Sequence, residues 1–170
     1  MSEQKKYEFT GKIKTIFGIE FKQIRAIISF GCVVAGEIGG WIECEENLSQ
    51  YGDAWVSGNA RVSGNARVSG DAEVSGNAWV SGNARVSGDA EVKKDDDYMV
   101  IGGAGRYNRF TTFFKCRDKT IKVICGCFFG TIIEFRAKVK ETHKGNKHEK
   151  VYLAMADMAE LQIGNDEVEK

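Results

Sequence analysis

Between Gly52 and Val92, alanine and valine alternate with polar residues on a six-residue period. Val56, Val62, Val68, Val74, Val80, Val86 and Val92 each stand two positions after an alanine of the series Ala54 to Ala90. Along a strand, residues two apart share a face, so each Ala-x-Val piece sends two aliphatic side chains one way and the intervening residue the other. Ser-Gly-Asn or Ser-Gly-Asp links successive pieces. Glycine tolerates positive φ, and Asn or Asp bonds its own backbone, so a corner recurs every six residues at low strain. The repeat is therefore β. A longer period lies beneath it, because within the repeat Asp replaces Asn only at Asp53, Asp71 and Asp89, eighteen residues apart. Three hexads then make one triangular turn. Stacked strands about 4.8 Å apart align Trp55, Glu73 and Glu91 in one outward column, Arg61 and Trp79 in a second, and Arg67 and Arg85 in a third. Upstream, Ile42 and Leu48 are also six apart, which predicts an irregular first coil in GGWIECEENLSQYGD.

The flanks follow other patterns. YEFTGKIKTIF and IEFKQIRAIISF, separated by Gly18, read as a β-hairpin over residues 1–33 that covers the starting end of the coil, with a helix for the second piece as the alternative. The coil occupies 34–94. After it, the charged run Lys93 to Asp97 marks a boundary, and residues 95–170 form a small α+β module. Strands are expected at Met99 to Ile101, Phe110 to Cys116 and Ile121 to Cys125. A helix is expected from Thr131 to His143, capped by Thr131, with Ile132, Phe135 and Val139 at helical spacing. A second helix, His148 to Gln162, is expected to bury a stripe of Val151, Leu153, Ala154, Met158 and Leu161. The acidic end, Asn165 to Lys170, reads as solvated.

Composition narrows the function classes. Lys and Arg balance Asp and Glu at 24 each, so bulk charge recruits neither nucleic acid nor an anionic membrane. The polar start lacks a signal-type apolar region, and no long apolar run appears, so a soluble, cytoplasmic protein is expected. Five unevenly spaced cysteines suit reduced thiols better than a disulfide framework.

Four constellations carry candidate chemistry. Trp55 and Trp79 sit at outward positions near Arg61, Arg67 and Arg85, and tryptophan with arginine dominates interface hot spots, so these five residues form the expected partner-binding surface. A flank of the same chain folding over the indoles is the alternative. Gly103, Gly105 and Arg106 can cradle an anion through backbone amides and a guanidinium, or simply make a turn. Cys125, Cys127 and His143, with Cys116 as a fourth, offer thiolates and imidazole to zinc, with Cys-x-Cys in a strand placing both thiols on one face. Buried thiols acting as small hydrophobes are the competing account. Asp53, Asp71 and Asp89 on one corner suit either calcium or a hydrated or partly protonated ladder.

The seven-fold repeat resembles the hexapeptide-repeat left-handed parallel β-helix family. The wider layout, with KKYEFTG, AGEIGGWIECEENLSQYGDAWV, GCFFGTIIEF and ETHKGN in order, is similar to small polymer-forming-type proteins encoded by phages and prophages. The resemblance implies a mainly β fold, phage origin and residence in the cytoplasm of an infected or lysogenic bacterium, with side-by-side association into a homotrimer as a further implication. Acyltransferases on such coils use a histidine as general base, and related carbonic anhydrases hold zinc with three; this chain has His143 and His148 alone, both beyond the coil. No catalytic residue and no cofactor is therefore expected. The leading expectation is a non-catalytic accessory protein that binds a host protein, plausibly to inhibit an antiviral defence component in the manner of an anti-CRISPR. Structural self-assembly and sequestration of a small anionic or nucleotide ligand are the alternatives.

Overall fold

The computed structural model describes residues 4–164, so the acidic end at 165–170 lies outside the described residues. The chain divides into two compact units, Met1–Asp95 and Asp96–Lys170. The hairpin and the coil, which the sequence reading separates after residue 33, share the first unit.

In that unit β1 (Tyr7–Ile16) and β2 (Ile19–Ala26) pair antiparallel, so the second piece is a strand. Phe17 and Gly18 turn between them with φ of 50° and 80°, the two positive values of a type I′ turn. β3 (Ile38–Ile42) follows, then seven two-residue strands: β4 (Trp55–Val56), β5 (Arg61–Val62), β6 (Arg67–Val68), β7 (Glu73–Val74), β8 (Trp79–Val80), β9 (Arg85–Val86) and β10 (Glu91–Val92). Each pairs in parallel with the strand eighteen residues away, so β4, β7 and β10 make one face, β5 and β8 a second, and β6 and β9 a third. The outward columns are those the Asp/Asn substitutions imply. All seven valines and seven alanines of the repeat are buried to within 1% exposure. Ile42 and Leu48 join them opposite Val62 and Val68, completing the irregular first coil.

The corners depend on glycine. From Gly52 to Gly88 every corner glycine has φ between 59° and 71°, and a Cβ on Gly70 would stand 2.8 Å from the Gly88 nitrogen of the next coil. Two corners carry amide ladders, with Asn59 Nδ2 donating to Asn77 Oδ1 at 3.3 Å and Asn65 Nδ2 to Asn83 Oδ1 at 3.1 Å. A carboxyl group has no amide N–H to donate, so the Asp corner carries no amide ladder of this kind.

Amides in each coil donate to carbonyls of the next, as Trp55 N does to Ala72 O and Ser57 N to Val74 O, both at 2.9 Å. The carbonyls of the first regular coil therefore point back toward its starting end and need donors from elsewhere. On the second face β3 supplies them, Trp41 N and Glu43 N reaching Ala60 O and Val62 O at 3.0 Å, and β2 then pairs antiparallel with β3. On the third, the buried Asn47 amide donates to Gly64 O at 3.1 Å and Ala66 O at 2.9 Å. On the first, Lys6 Nζ donates to Ala54 O at 2.7 Å and Gly52 O at 3.2 Å, 4.7 Å over the Phe30 ring. Lys6 is 2% exposed. At the far end of the second face, Trp79 N donates to an Asp95 carboxylate oxygen at 2.7 Å.

The second unit is an antiparallel sheet in sequence order, β11 (Tyr98–Ala104), β12 (Arg109–Lys115), β13 (Ile121–Cys125) and β14 (Phe128–Thr131), carrying α1 (Ile132–His143) and α2 (Lys147–Ile163). The three expected strands are present, and β14 adds a fourth inside GCFFGT. Thr131 caps α1: its hydroxyl accepts from Glu134 N at 3.2 Å while the Glu134 carboxylate accepts from Thr131 N at 2.7 Å. Ile132, Phe135 and Val139 are buried as expected. The stripe expected on α2 is displaced: Tyr152, Met155, Ala156, Ala159 and Ile163 face the core, while Met158 and Leu161 are 54% and 68% exposed. Spacings of three, four and seven from Tyr152 lie on one side of a helix, and that side meets Phe113, Val123 and Phe135.

Burial pushes the Lys6 ammonium down to about 8 from its ordinary 10.5, against an opposing pull from Asp53. Between those values the unfolded chain holds a proton that the folded chain has released, so stability rises with pH across that window and the gain is lost as pH falls through 8. Lys6→Met leaves the two carbonyls without their donor and lowers unfolding stability by about 1–3 kcal/mol. Chemical denaturation from pH 7 to 10.5 checks both effects: the wild type gains on the variant as pH rises.

Candidate functional site

The three outward columns of the coil differ in what covers them. Trp55 is 4% exposed, met edge-on by Phe30 at 5.4 Å, and a Cβ on Gly39 would stand 2.6 Å from its ring. Trp79 is half-buried. The hairpin turn lays Phe17 parallel to its ring at 6.0 Å, Phe21 meets it edge-on at 5.9 Å, and the Arg61 guanidinium lies 4.7 Å over it. The indole N–H donates to Ser63 Oγ at 2.8 Å. Trp55 is therefore closed off by the Phe30 segment, whereas Trp79 and Arg61 are only partly covered by the hairpin, whose Phe17 is itself 87% exposed. Arg85 does not flank Trp79. It is paired with Arg67 on the third face, where both residues are exposed beside the Asn65–Asn83 ladder.

The second unit holds a pocket of about 470 Å³ whose lining includes Arg106, Cys125, Cys127 and His143, four residues that sequence reasoning chose for different chemistry. The glycines beside it act as spacers for aromatic rings. A Cβ on Gly102 would meet the Phe110 ring at 2.2 Å, and one on Gly105, whose φ is 77°, would meet the Tyr152 hydroxyl at 1.8 Å. Gly103 has φ of 70° at an irregularity of the β11–β12 pairing, so the glycine-rich segment is a strand end and turn.

The zinc reading also changes. Cys125 ends β13, while Cys127 lies exposed beyond Gly126 in the turn to β14, so the two thiols are not on one strand face. Cys116 is fully buried. Among the described residues, Cys125, Cys127 and His143 do not bring ligand atoms within 4.8 Å of one another, and neither do Asp53, Asp71 and Asp89. Cys125 Sγ instead takes a hydrogen bond from Thr111 Oγ1 at 3.2 Å. The Tyr152 hydroxyl is pushed above its ordinary range, chiefly by burial and then by Cys125, against the pull of Arg109. His143 stacks on Tyr152 at 5.4 Å and lies 5.8 Å from His148. Arg109, Lys138, Tyr107 and Tyr152 also line the pocket and were not singled out from the sequence. The spacing Arg106-Tyr107-x-Arg109 across a strand turn was the available signal.

No helix among the described residues is long and apolar enough to cross a membrane. Residues 54–70, 60–76 and 66–82 match, as overlapping segments, the family model of the YdcK beta solenoid repeat. No curated protein matches the chain significantly. The parallel pairing at eighteen residues and the family match agree that this part of the chain is a repeat β-solenoid.

Because Trp79 joins the hairpin to the coil, Trp79→Ala destabilises the first unit by about 2–4 kcal/mol, at or below the range for a fully buried aromatic. Denaturant melting followed by tryptophan fluorescence checks this. An unchanged midpoint would mean that the contacts of Phe17 and Phe21 with the indole contribute nothing.

Proposed function

We propose that this chain is a non-catalytic accessory protein of phage origin that acts by binding a host protein. In this reading the coil is a left-handed hexapeptide-repeat scaffold, and its third face is the docking surface. The partner in view is a component of an antiviral defence system, so that the protein works as an anti-CRISPR or a similar inhibitor. One observation carries the surface assignment: of the three outward columns, Arg67 and Arg85 alone are both exposed, while the other two columns are buried or half-buried.

The physics of that face favours an acidic protein surface. Ladder bonding fixes the two arginines in register about 4.8 Å apart, so little backbone freedom is lost on docking. Guanidinium forks pair with carboxylates through two parallel hydrogen bonds. Phage origin rests on the resemblance of the flanking strings.

The test is a plaque assay on bacteria that carry a defence system and express this chain. Wild-type protein raises phage plating, and Arg67→Glu with Arg85→Glu abolishes the gain without lowering the melting midpoint. Equal plating with the double variant would remove the surface, and no gain with either protein would remove the defence role.

A further inference from the structure

The pocket of the second unit combines two properties that a single ligand class explains. Its lining contains Arg106, Arg109 and Lys138 and no carboxylate. Lys138 leans toward Glu141 at 2.9 Å, but Arg106 and Arg109 have no ion pair among the described residues. Both guanidinia lie over the Tyr107 ring, at 5.4 and 5.1 Å. The Arg109 guanidinium also passes close to Gly126, where an added Cβ would stand 2.6 Å from Nη1. Asn146 and His148 place the start of α2 at the same space, where Asn146 Oδ1 caps the helix by accepting from His148 N at 2.8 Å and Glu149 N at 3.2 Å.

The lining is also rich in aromatic rings. Phe128 and Phe135 pack at 5.5 Å, Phe135 meets Tyr152 at 5.9 Å, and His143 stacks on Tyr152. An inorganic anion has no use for those rings, and a neutral apolar ligand makes no use of the two exposed guanidinia. A ligand with a phosphate at one end and a flat ring at the other satisfies both, and 470 Å³ falls within the usual range for small-molecule sites.

We propose that this pocket binds a nucleotide, with phosphate held by Arg106 and Arg109 and the base seated against the aromatic rings. The site is independent of the Arg67–Arg85 face, so either assignment can fail alone.

Isothermal titration of the full chain tests it, with the four nucleoside 5′-monophosphates, cyclic di-AMP and cyclic di-GMP as ligands, and inorganic phosphate and the parent nucleosides as controls. At least one nucleotide binds at one per chain, about tenfold or more tighter than either control. Arg106→Ala with Arg109→Ala weakens it by about tenfold or more, as expected for loss of charged hydrogen bonds. Tyr107→Ala, at a residue 65% exposed and so safe for folding, also weakens it, while Arg67→Glu with Arg85→Glu leaves it unchanged. Absence of binding by every nucleotide, phosphate binding as tightly as the best nucleotide, or full affinity in both pocket variants would each overturn the proposal.

Discussion

Hydrogen bonds from each coil to the one eighteen residues on fix the position of everything else in the first unit. Because Trp55, Arg61 and Arg67 amides all donate forward to alanine carbonyls, successive Ala-x-Val pieces stay in register, and every valine lands on the valine of the next coil. The aliphatic column and the ladder support each other: a slip of one residue would turn valines outward and charged residues inward. Directionality has a cost at the start, where carbonyls have no preceding coil. Lys6, Asn47 and β3 meet that demand with three different donors. A buried lysine looks out of place in a small core until those carbonyls are counted.

The ladder also decides which outward residues remain available. A two-residue strand shows one side chain per coil to the outside, so each face is a narrow column whose fate depends on what lies against it. The hairpin continues the sheet of the second face and turns Phe17 onto Trp79; Phe30 closes over Trp55. Indoles that would have been costly to leave in water become the joint between flank and coil. The column of Arg67 and Arg85 is exposed along its length, and that contrast is the reason for assigning binding to it.

Much of this was legible in the sequence where periodicity decides the outcome. Alanine and valine at spacing six set the inward face, and the Asp/Asn alternation set the coil length, so the strand pairs follow from Asp53, Asp71 and Asp89 alone. Periodicity is silent on what packs outside the coil, which is why Trp55 and Trp79 read equally well as interface residues. On α2, apolar residues occur on several sides, so Met158 and Leu161 suited a stripe as well as Tyr152 and Ala156 did; only the sheet beneath chooses between them. The pocket was the least legible feature. Arg106, Cys125 and His143 are far apart in sequence and meet only because the turn after β11, the end of β13 and the end of α1 belong to one layered unit, so sequence alone suggests separate chemistry for each.

Amide hydrogen exchange resolved by residue tests the coil most directly. Slow exchange is expected at Arg61, Arg67 and Glu73 and at Ser57, Ser63, Ser69 and Ser75, whose amides all bond to the following coil, giving protection that recurs every six residues. Exchange of these amides at unfolded rates, or unbroken protection of the kind an α-helix gives, would contradict the account.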